Sequence, residues 1–127
     1  MISIKDSGIK YSSYIPGEYY IGVSWDMCFH ILKDGKQIGK VFLCDGVNGE
    51  AYGGPDAIFI QWIEFDKNER GKGFVKDVLA CIKKKFNYKK YITAQSCLDL
   101  LDMYNHLGFE CTWFDQFTEM SDIRCAI

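Results

Sequence analysis

The segment that decides the fold is a short glycine-containing turn, Glu69-Arg70-Gly71-Lys72-Gly73-Phe74-Val75. Before it, Ala57–Phe65 is an almost continuous apolar run, which is typical of a strand covered on both faces. After it, apolar residues recur at helical spacing from residue 74 to residue 86. At a helix start, unpaired amides and the helix dipole favour an anion, and glycines let that anion approach the backbone. The turn therefore predicts a phosphate or pyrophosphate site, with a ligand-free basic turn as the alternative.

The turn differs from three other glycine motifs. A P-loop needs Ser or Thr after its Lys, whereas Lys72 is followed by Gly73. A dinucleotide fingerprint needs a third glycine at position 76, which is Lys. The RNA-recognition signature K/R-G-F/Y-G/A-F-V-x-F/Y is partly matched, but Lys72 and Asp77 stand at two of its three base-stacking aromatic positions. An RNA-binding module is therefore kept only as a remote alternative.

A β-hairpin is predicted upstream of the central strand. Met27–Lys33 and residues 37–44 are β-prone, and Asp34-Gly35 between them is a strong hairpin signal because Gly tolerates the positive φ of a tight turn. Residues 45–55 are rich in glycine and predict a loop. Residues 1–25 are rich in Ser, Tyr and Gly, so we expect a short strand and irregular structure there, without an amphipathic helix.

Downstream, the sequence predicts a strand, a second helix and two closing strands. The strand covers residues 91–94, and Ser96 is predicted to cap the helix that follows. Gly108 is placed to end that helix, and residues 109–114 and 119–127 form the closing pair. This order predicts an α/β protein, more narrowly an α+β mixed sheet with helices packed on it, in a single domain of residues 1–127.

The composition is that of a globular protein. Of 127 residues, 48% are hydrophobic and 25% are charged, and the formal net charge is −2. This charge argues against nucleic-acid binding by bulk electrostatics. No apolar run reaches the roughly 20 residues of a membrane span, and the N-terminus lacks the pattern of a signal peptide. We therefore expect a cytoplasmic protein that is not attached to a membrane.

The six cysteines do not form a metal-binding pattern, because no two lie closer than 14 positions. Most of them lie in apolar segments, so we expect reduced, buried thiols; a secreted disulfide protein is the alternative.

Two motifs together resemble the GNAT superfamily of acyl-CoA-dependent N-acetyltransferases. The residues from Arg70 to Val75 fill the family's pyrophosphate pattern R-G-x-G-x-G/A except at the last place. Tyr104-Asn105-His106-Leu107-Gly108-Phe109 matches the second signature, Y-x-x-x-G-F, in the family's order. The resemblance covers roughly residue 27 to the end of the sequence. It implies a GNAT-like fold with a reduced N-terminal helical region.

The resemblance implies an acetyl-CoA site. Main-chain groups of Ile63, Glu64 and Phe65 would hydrogen-bond the pantetheine arm as an additional strand does. The other implied cofactor contacts come from the turn and from the second motif's surroundings: Arg70, Gly71, Lys72, Gly73, Phe74, Val75, Cys97 and Tyr104.

The implied reaction is direct attack of a neutral amine on the thioester, which requires no metal and no covalent intermediate. A strand amide near Phe65 would hold the oxyanion. Tyr104 is the implied acid for the departing thiolate; a packed helix tyrosine is the alternative. Glu64 is the candidate base because it is the nearest carboxylate on the central strand; a solvated strand-end residue is the alternative. His30 and His106 are further candidates, each more commonly structural.

Three departures from the family pattern affect these expectations. Val75 replaces the usual Gly or Ala, and Cys97 stands where many members have Asn. Residues 1–25 lack the pair of helices that usually builds the acceptor site, so that site would be open or completed by a second subunit in a homodimer. A non-catalytic CoA-binding or protein-interaction module on the same fold is therefore the main alternative. The amine acceptor, a small molecule or a protein, is not identified by the sequence.

Overall fold

The computed structural model describes residues 1–10 and 25–127, without the side chain of residue 10. This part of the chain contains seven strands, two α-helices and four short 3₁₀ turns. The strands are β1 (Ile2–Lys10), β2 (Met27–Lys33), β3 (Lys36–Asp45), β4 (Ala57–Phe65), β5 (Tyr91–Cys97), β6 (Glu110–Asp115) and β7 (Met120–Ala126). The helices are α1 (Phe74–Lys85) and α2 (Leu101–His106); the 3₁₀ turns are Gly46–Asn48, Glu50–Tyr52, Lys67–Glu69 and Leu98–Leu100.

The strands form one mixed sheet in the order β1-β2-β3-β4-β5-β7-β6. The β4–β5 pair is parallel, and β1–β2, β2–β3, β5–β7 and β6–β7 are antiparallel. This mixed sheet with two helices confirms the predicted fold class. The chain divides into two compact units: the first contains residues 1–44 and 61–82, and the second contains residues 45–60 and 83–127. The single domain stays a prediction.

The first unit begins with an antiparallel β-meander. Its β2–β3 hairpin turns at Asp34 (φ 51°) and Gly35 (φ 85°), which confirms the predicted Asp-Gly turn. Two positive φ values in succession are those of a type I′ turn, whose twist suits a hairpin. Among the described residues of this unit, the core is apolar and includes Ile31, Phe42 and, from α1, Ile82. The strand expected within the first 25 residues is present as β1, and the predictions for residues 11–24 lie outside the described residues.

The second unit contains the β5–β7 and β6–β7 ladders. Alternate residues of β5 and β7 are buried, among them Ile92, Ile123 and Cys125. This period of two shows that one face of the ladder packs into the core, while the other face carries residues that are exposed or half-buried. The predicted closing strands are confirmed as β6 and β7.

The start of the second helix was predicted wrongly. Ser96 does not cap it: the residue is buried within β5, and its hydroxyl donates to the Cys97 carbonyl at 2.8 Å. A 3₁₀ turn follows, and α2 begins only at residue 101. The end was predicted correctly, since Gly108 has φ 96° and the amides of residues 108 and 109 donate to the Asn105 and Tyr104 carbonyls in a Schellman arrangement.

Two further expectations need correction. Strand β4 has the predicted bounds, but only its first four residues are buried, so its second half is not covered on both faces. The six cysteines form no disulfide, yet only Cys28, Cys44 and Cys125 are buried, and Cys97 and Cys111 are exposed. Apolar neighbours in sequence predicted burial for these two thiols, whereas their places at a strand end and on an edge strand leave them open.

Candidate functional site

The glycine turn has the backbone geometry that its sequence predicts. A 3₁₀ turn ends at Glu69, Arg70 is extended, and α1 begins at Phe74. Gly71 and Gly73 have φ values of 73° and 79°, which L-residues rarely adopt. No atom lies within 4 Å of the position that a Cβ would take at either glycine. The backbone is therefore open to a ligand on both glycines, directly before the N-terminus of a twelve-residue helix.

Arg70 ties the turn to the end of β4. Its Nε donates to the Phe65 carbonyl at 3.0 Å, and the Phe65 and Phe74 ring centroids lie 6.2 Å apart. The structure thus brings together three of the residues predicted for the cofactor site. One guanidinium N–H is committed to this contact, while the side chain remains exposed.

Glu69 interacts with two lysine side chains near the turn. Its Oε2 lies 3.2 Å from Lys72 Nζ and 3.8 Å from Lys33 Nζ. The hydrogen bond from Lys72, assisted by the charge of Lys33, outweighs desolvation and holds the pKa of Glu69 below its ordinary value. Lys33 also lies 5.3 Å from the centre of the Phe74 ring. Lys33 was not predictable from the sequence, because its contact depends on tertiary packing of β2 against the turn.

The end of β4 is fixed by close backbone packing. The Asp66 amide donates to the Ile38 carbonyl at 2.7 Å, and a Cβ at Gly39 would collide with the Glu64 carbonyl oxygen. Gly39 is therefore required for the backbone path of Ile63, Glu64 and Phe65, a role that sequence reasoning missed. A glycine inside a predicted strand was the available signal for this close approach.

The Glu64 carboxylate has a defined hydrogen bond. Trp62 Nε1 donates to Glu64 Oε2 at 3.2 Å, and the Trp62 side chain is 38% exposed. An N–H donor stabilises the charged form of a carboxylate and limits its rotation. This contact therefore orients the Glu64 carboxylate on the half-exposed part of the strand.

Tyr104 lies on α2 in the second unit. It is half-buried, and its ring meets Phe109 edge-on with centroids 5.5 Å apart. Burial, with a smaller contribution from the nearby Cys97, raises the pKa of Tyr104 above its ordinary value of 10.0. The hydroxyl is therefore protonated at neutral pH. The glycine turn lies in the first unit and the tyrosine motif in the second.

The two histidines show no catalytic arrangement. His30 lies on β2 and is half-exposed. His106 is exposed at the end of α2, and its Nδ1 lies 2.7 Å from the Asp102 carbonyl oxygen, which fixes the ring by a helix-end contact. Among residues 1–10 and 25–127, no group of three or more His, Cys, Asp or Glu side chains is placed to hold a metal ion. In the same residues, no helix has the length and apolar character needed to cross a membrane.

Solved acetyltransferase structures share this fold. A structure from Bacillus anthracis in complex with acetyl coenzyme A is 18% identical with a TM-score of 0.62, and the match covers 99% of this chain and 87% of that one. An acetyltransferase from Bacillus subtilis in complex with CoA is 18% identical (TM-score 0.61), covering 80% of this chain and 76% of that one. A GNAT family acetyltransferase from Elizabethkingia anophelis with acetyl-CoA bound is 14% identical (TM-score 0.59), covering 80% and 76%.

These similarities define the class of fold. The chain has the GNAT acyl-CoA N-acyltransferase fold, and the resemblance found in its two motifs is confirmed at that level. No family model matches the sequence, and no curated protein matches it.

Proposed function

We propose that this protein is an acetyl-CoA-dependent N-acetyltransferase. The observation that carries the proposal is the open turn at Gly71 and Gly73, where no atom lies within 4 Å of the position of a Cβ, directly before the start of α1. A helix start with accessible amides suits a diphosphate, because its partial positive charge and N–H donors both favour an anion. Structures of the same fold that contain CoA or acetyl-CoA support the choice of this ligand.

Each predicted cofactor residue then has a separate task. The amides from Gly71 to Val75 bind the diphosphate, so the side chain at position 75 matters less than its N–H. Arg70 keeps the Phe65 carbonyl in place and offers its remaining N–H groups to phosphate. Lys72 is paired with Glu69, which offsets its charge, so it contributes less to diphosphate binding than the backbone amides do. Main-chain groups from Ile63 to Phe65 hydrogen-bond the pantetheine arm, and Cys97 adjoins the reacting end.

The proposed reaction is acetyl transfer by direct attack. The nitrogen of a neutral amine adds to the thioester carbonyl, and the carbon–sulfur bond breaks as the carbonyl reforms. Glu64 accepts the proton that the amine loses, and the hydrogen bond from Trp62 keeps that carboxylate oriented. Tyr104 donates a hydrogen bond to the departing thiolate sulfur, which then takes up a proton from solvent. The products are the N-acetyl amine and the free thiol of CoA.

Acetyl-CoA binding is tested by thermal unfolding. A ligand that binds only the folded state stabilises it by about 2.7 kcal/mol at a hundred times its dissociation constant. We therefore expect acetyl-CoA to raise the melting temperature. CoA should do the same, and neither effect should need added metal. If millimolar acetyl-CoA produces no shift, the proposal is wrong.

Transfer itself is tested by thiol release in the presence of an amine panel. Tyr104→Phe is expected to slow turnover while the acetyl-CoA affinity stays within a factor of two. Tyr88→Phe is the matched control, because Tyr88 is 71% exposed in the same unit and has no proposed role. Binding without transfer to any amine would favour the non-catalytic CoA-binding module instead.

A further inference from the structure

A cavity in the second unit lies outside the cofactor residues described above. Its volume is about 320 Å³, and it opens among the β3–β4 loop and strands β4 to β7. This size is at the lower end of the range for small-molecule sites. Five of its lining residues decide what it would bind: Glu50, Phe59, Tyr91, Asp122 and Arg124.

The cavity carries negative charge that its surroundings do not neutralise. Within the described parts of the chain, the Glu50 carboxylate has no hydrogen bond or ion pair, and the Asp122 carboxylate meets only the neutral amide of Gln95, at 3.2 Å. A carboxylate without a cationic partner attracts a cation, more strongly in a cavity than on an open surface. These two side chains therefore favour a cationic ligand.

The one arginine in the lining does not reverse this preference. Arg124 Nε lies 3.0 Å from Glu110 Oε1, and the guanidinium carbon lies 4.5 Å from the centre of the Tyr91 ring. Its charge is thus compensated by a carboxylate outside the lining. A third lining carboxylate, Asp56, is 3.7 Å from the exposed Lys90.

Two aromatic rings form part of the wall. Phe59 is 6% exposed and packs against Tyr52 with ring centroids 4.9 Å apart, and Tyr91 adds a second ring on the neighbouring strand. Aromatic rings beside carboxylates accommodate methylene groups that end in an ammonium. The chemistry of the lining therefore fits an alkyl ammonium better than a sugar or a phosphate.

Strand β5 links the cavity to the residues around Tyr104. Tyr91, Thr93 and Cys97 share one face of β5. Cys97 interacts electrostatically with Tyr104. In the β5–β7 ladder, Asp122 is paired with Gln95 and Arg124 with Thr93. At 3.3 Å per residue, Asp122 and Arg124 lie about 7 and 13 Å along the strand from Cys97. A short, extended molecule can therefore reach from the cavity to the residues beside Tyr104.

We propose that this cavity binds the distal ammonium group of the acceptor, and that the acceptor is a linear aliphatic polyamine. This inference rests on the proposed function, since it places the reacting nitrogen beside Tyr104. Glu50 and Asp122 bind the second ammonium, and Phe59 and Tyr91 contact the methylene chain. A monoamine lacks the group that the cavity recognises.

The test compares spermidine, 1,8-diaminooctane and butylamine as acceptors at saturating acetyl-CoA. The double variant Glu50→Gln, Asp122→Asn keeps the shape of both side chains and removes both charges. We expect it to raise KM for spermidine and diaminooctane at least tenfold, with little change in kcat and no change for butylamine. Asp102→Asn, an exposed α2 residue outside the lining, is the matched control and should leave all three acceptors unaffected.

Binding of spermidine to the protein is measured separately by calorimetry. Charge-dependent binding of spermidine, lost in the double variant, supports the cavity even if no acetyl transfer is found, in which case only the proposed function fails. Acetyl transfer with an unchanged spermidine KM in the double variant overturns the polyamine inference and leaves the proposed function standing. Equal KM values for spermidine and butylamine in the unaltered protein also overturn it.

Discussion

Replacing Gly73 with alanine separates the ligand role of the turn from its structural role. At φ 79°, an alanine is strained whatever the space around it, and the cost is about 1–2 kcal/mol. Gly35 in the β2–β3 hairpin provides a matched control: its φ is 85°, and its Cβ position is also open to at least 4 Å. We expect Gly73→Ala and Gly35→Ala to lower the melting temperature by similar amounts, roughly 4–8 °C.

The two variants should differ in cofactor affinity. A hydrogen bond between an amide and a charged group contributes about 1.5–3 kcal/mol, so losing one such bond weakens binding by about 10- to 100-fold. In the proposed complex, a Cβ at Gly73 lies on the turn that binds the diphosphate, whereas Gly35 lies in a hairpin with no proposed ligand role. Titration calorimetry with acetyl-CoA below both melting temperatures should therefore show a weakened Gly73→Ala variant and an unchanged Gly35→Ala variant.

Two results would refute this reasoning. If Gly73→Ala binds acetyl-CoA within twofold of the unaltered protein, the diphosphate does not contact this backbone. If both variants lose affinity equally, the loss reports general destabilisation. Neither result depends on transfer activity, so the experiment examines the binding site alone.

Three other predictions concern turnover and stability. Tyr104→Phe should reduce kcat by about 10- to 100-fold, the loss expected for one hydrogen bond to a charged sulfur, measured under chemistry-limited conditions; unchanged turnover would remove Tyr104 from the mechanism. Lys89→Met should destabilise the fold by about 2–3 kcal/mol in urea unfolding, because the 7%-exposed Lys89 side chain donates to Asp45 at 2.6 Å. Lys90→Met removes a lysine from an exposed ion pair with Asp56 and should have little effect. Gly39→Ala should weaken both stability and acetyl-CoA binding, since its Cβ would displace the main chain at the end of β4; normal binding would show that this segment does not hold the pantetheine arm.

The Asp45–Lys89 pair also predicts acid sensitivity. Burial tends to raise the pKa of Asp45, but the hydrogen bonds from Lys89 and the Val47 amide outweigh it, so the pKa lies below its ordinary value of 3.8. Because the folded-state pKa is lowered, this contribution to stability is present above about pH 3.8 and is lost as the pH falls through the folded-state pKa. The Lys89→Met variant should lose this part of the acid dependence in pH-resolved unfolding.

Local backbone chemistry made part of the molecule predictable. Asp34-Gly35, the Gly71–Gly73 turn and Gly108 all adopt the positive φ values that their residue types indicated. The strand β4 was predicted with its bounds, because seven of its nine residues are apolar or aromatic and leave few alternatives. At each of these places, the preference is set by a few neighbouring residues and does not depend on distant packing.

Other features depend on tertiary contacts and were not predictable. The Ser96–Asp99 spacing suited a capping box, but strand pairing of β5 with β7 continues through Ser96 and delays the helix. Lys33 reaches Glu69 only because of the path of β2, and the acidic cavity gathers residues from four segments of the chain. A sequence lists such residues separately, and only the folded sheet brings them together.

The raised pKa of Tyr104 constrains what its hydroxyl can do in the proposed reaction. A raised pKa makes a phenol a weaker acid, so Tyr104 is a poorer proton donor to the departing thiolate than an unperturbed tyrosine would be. Tyr104 then acts mainly as a hydrogen-bond donor that stabilises the leaving sulfur, and the proton is supplied from solvent after the carbon–sulfur bond breaks. On this account kcat shows no dependence on the ionisation of Tyr104 below pH 10, and a thioester with a more acidic thiol should be less affected by Tyr104→Phe.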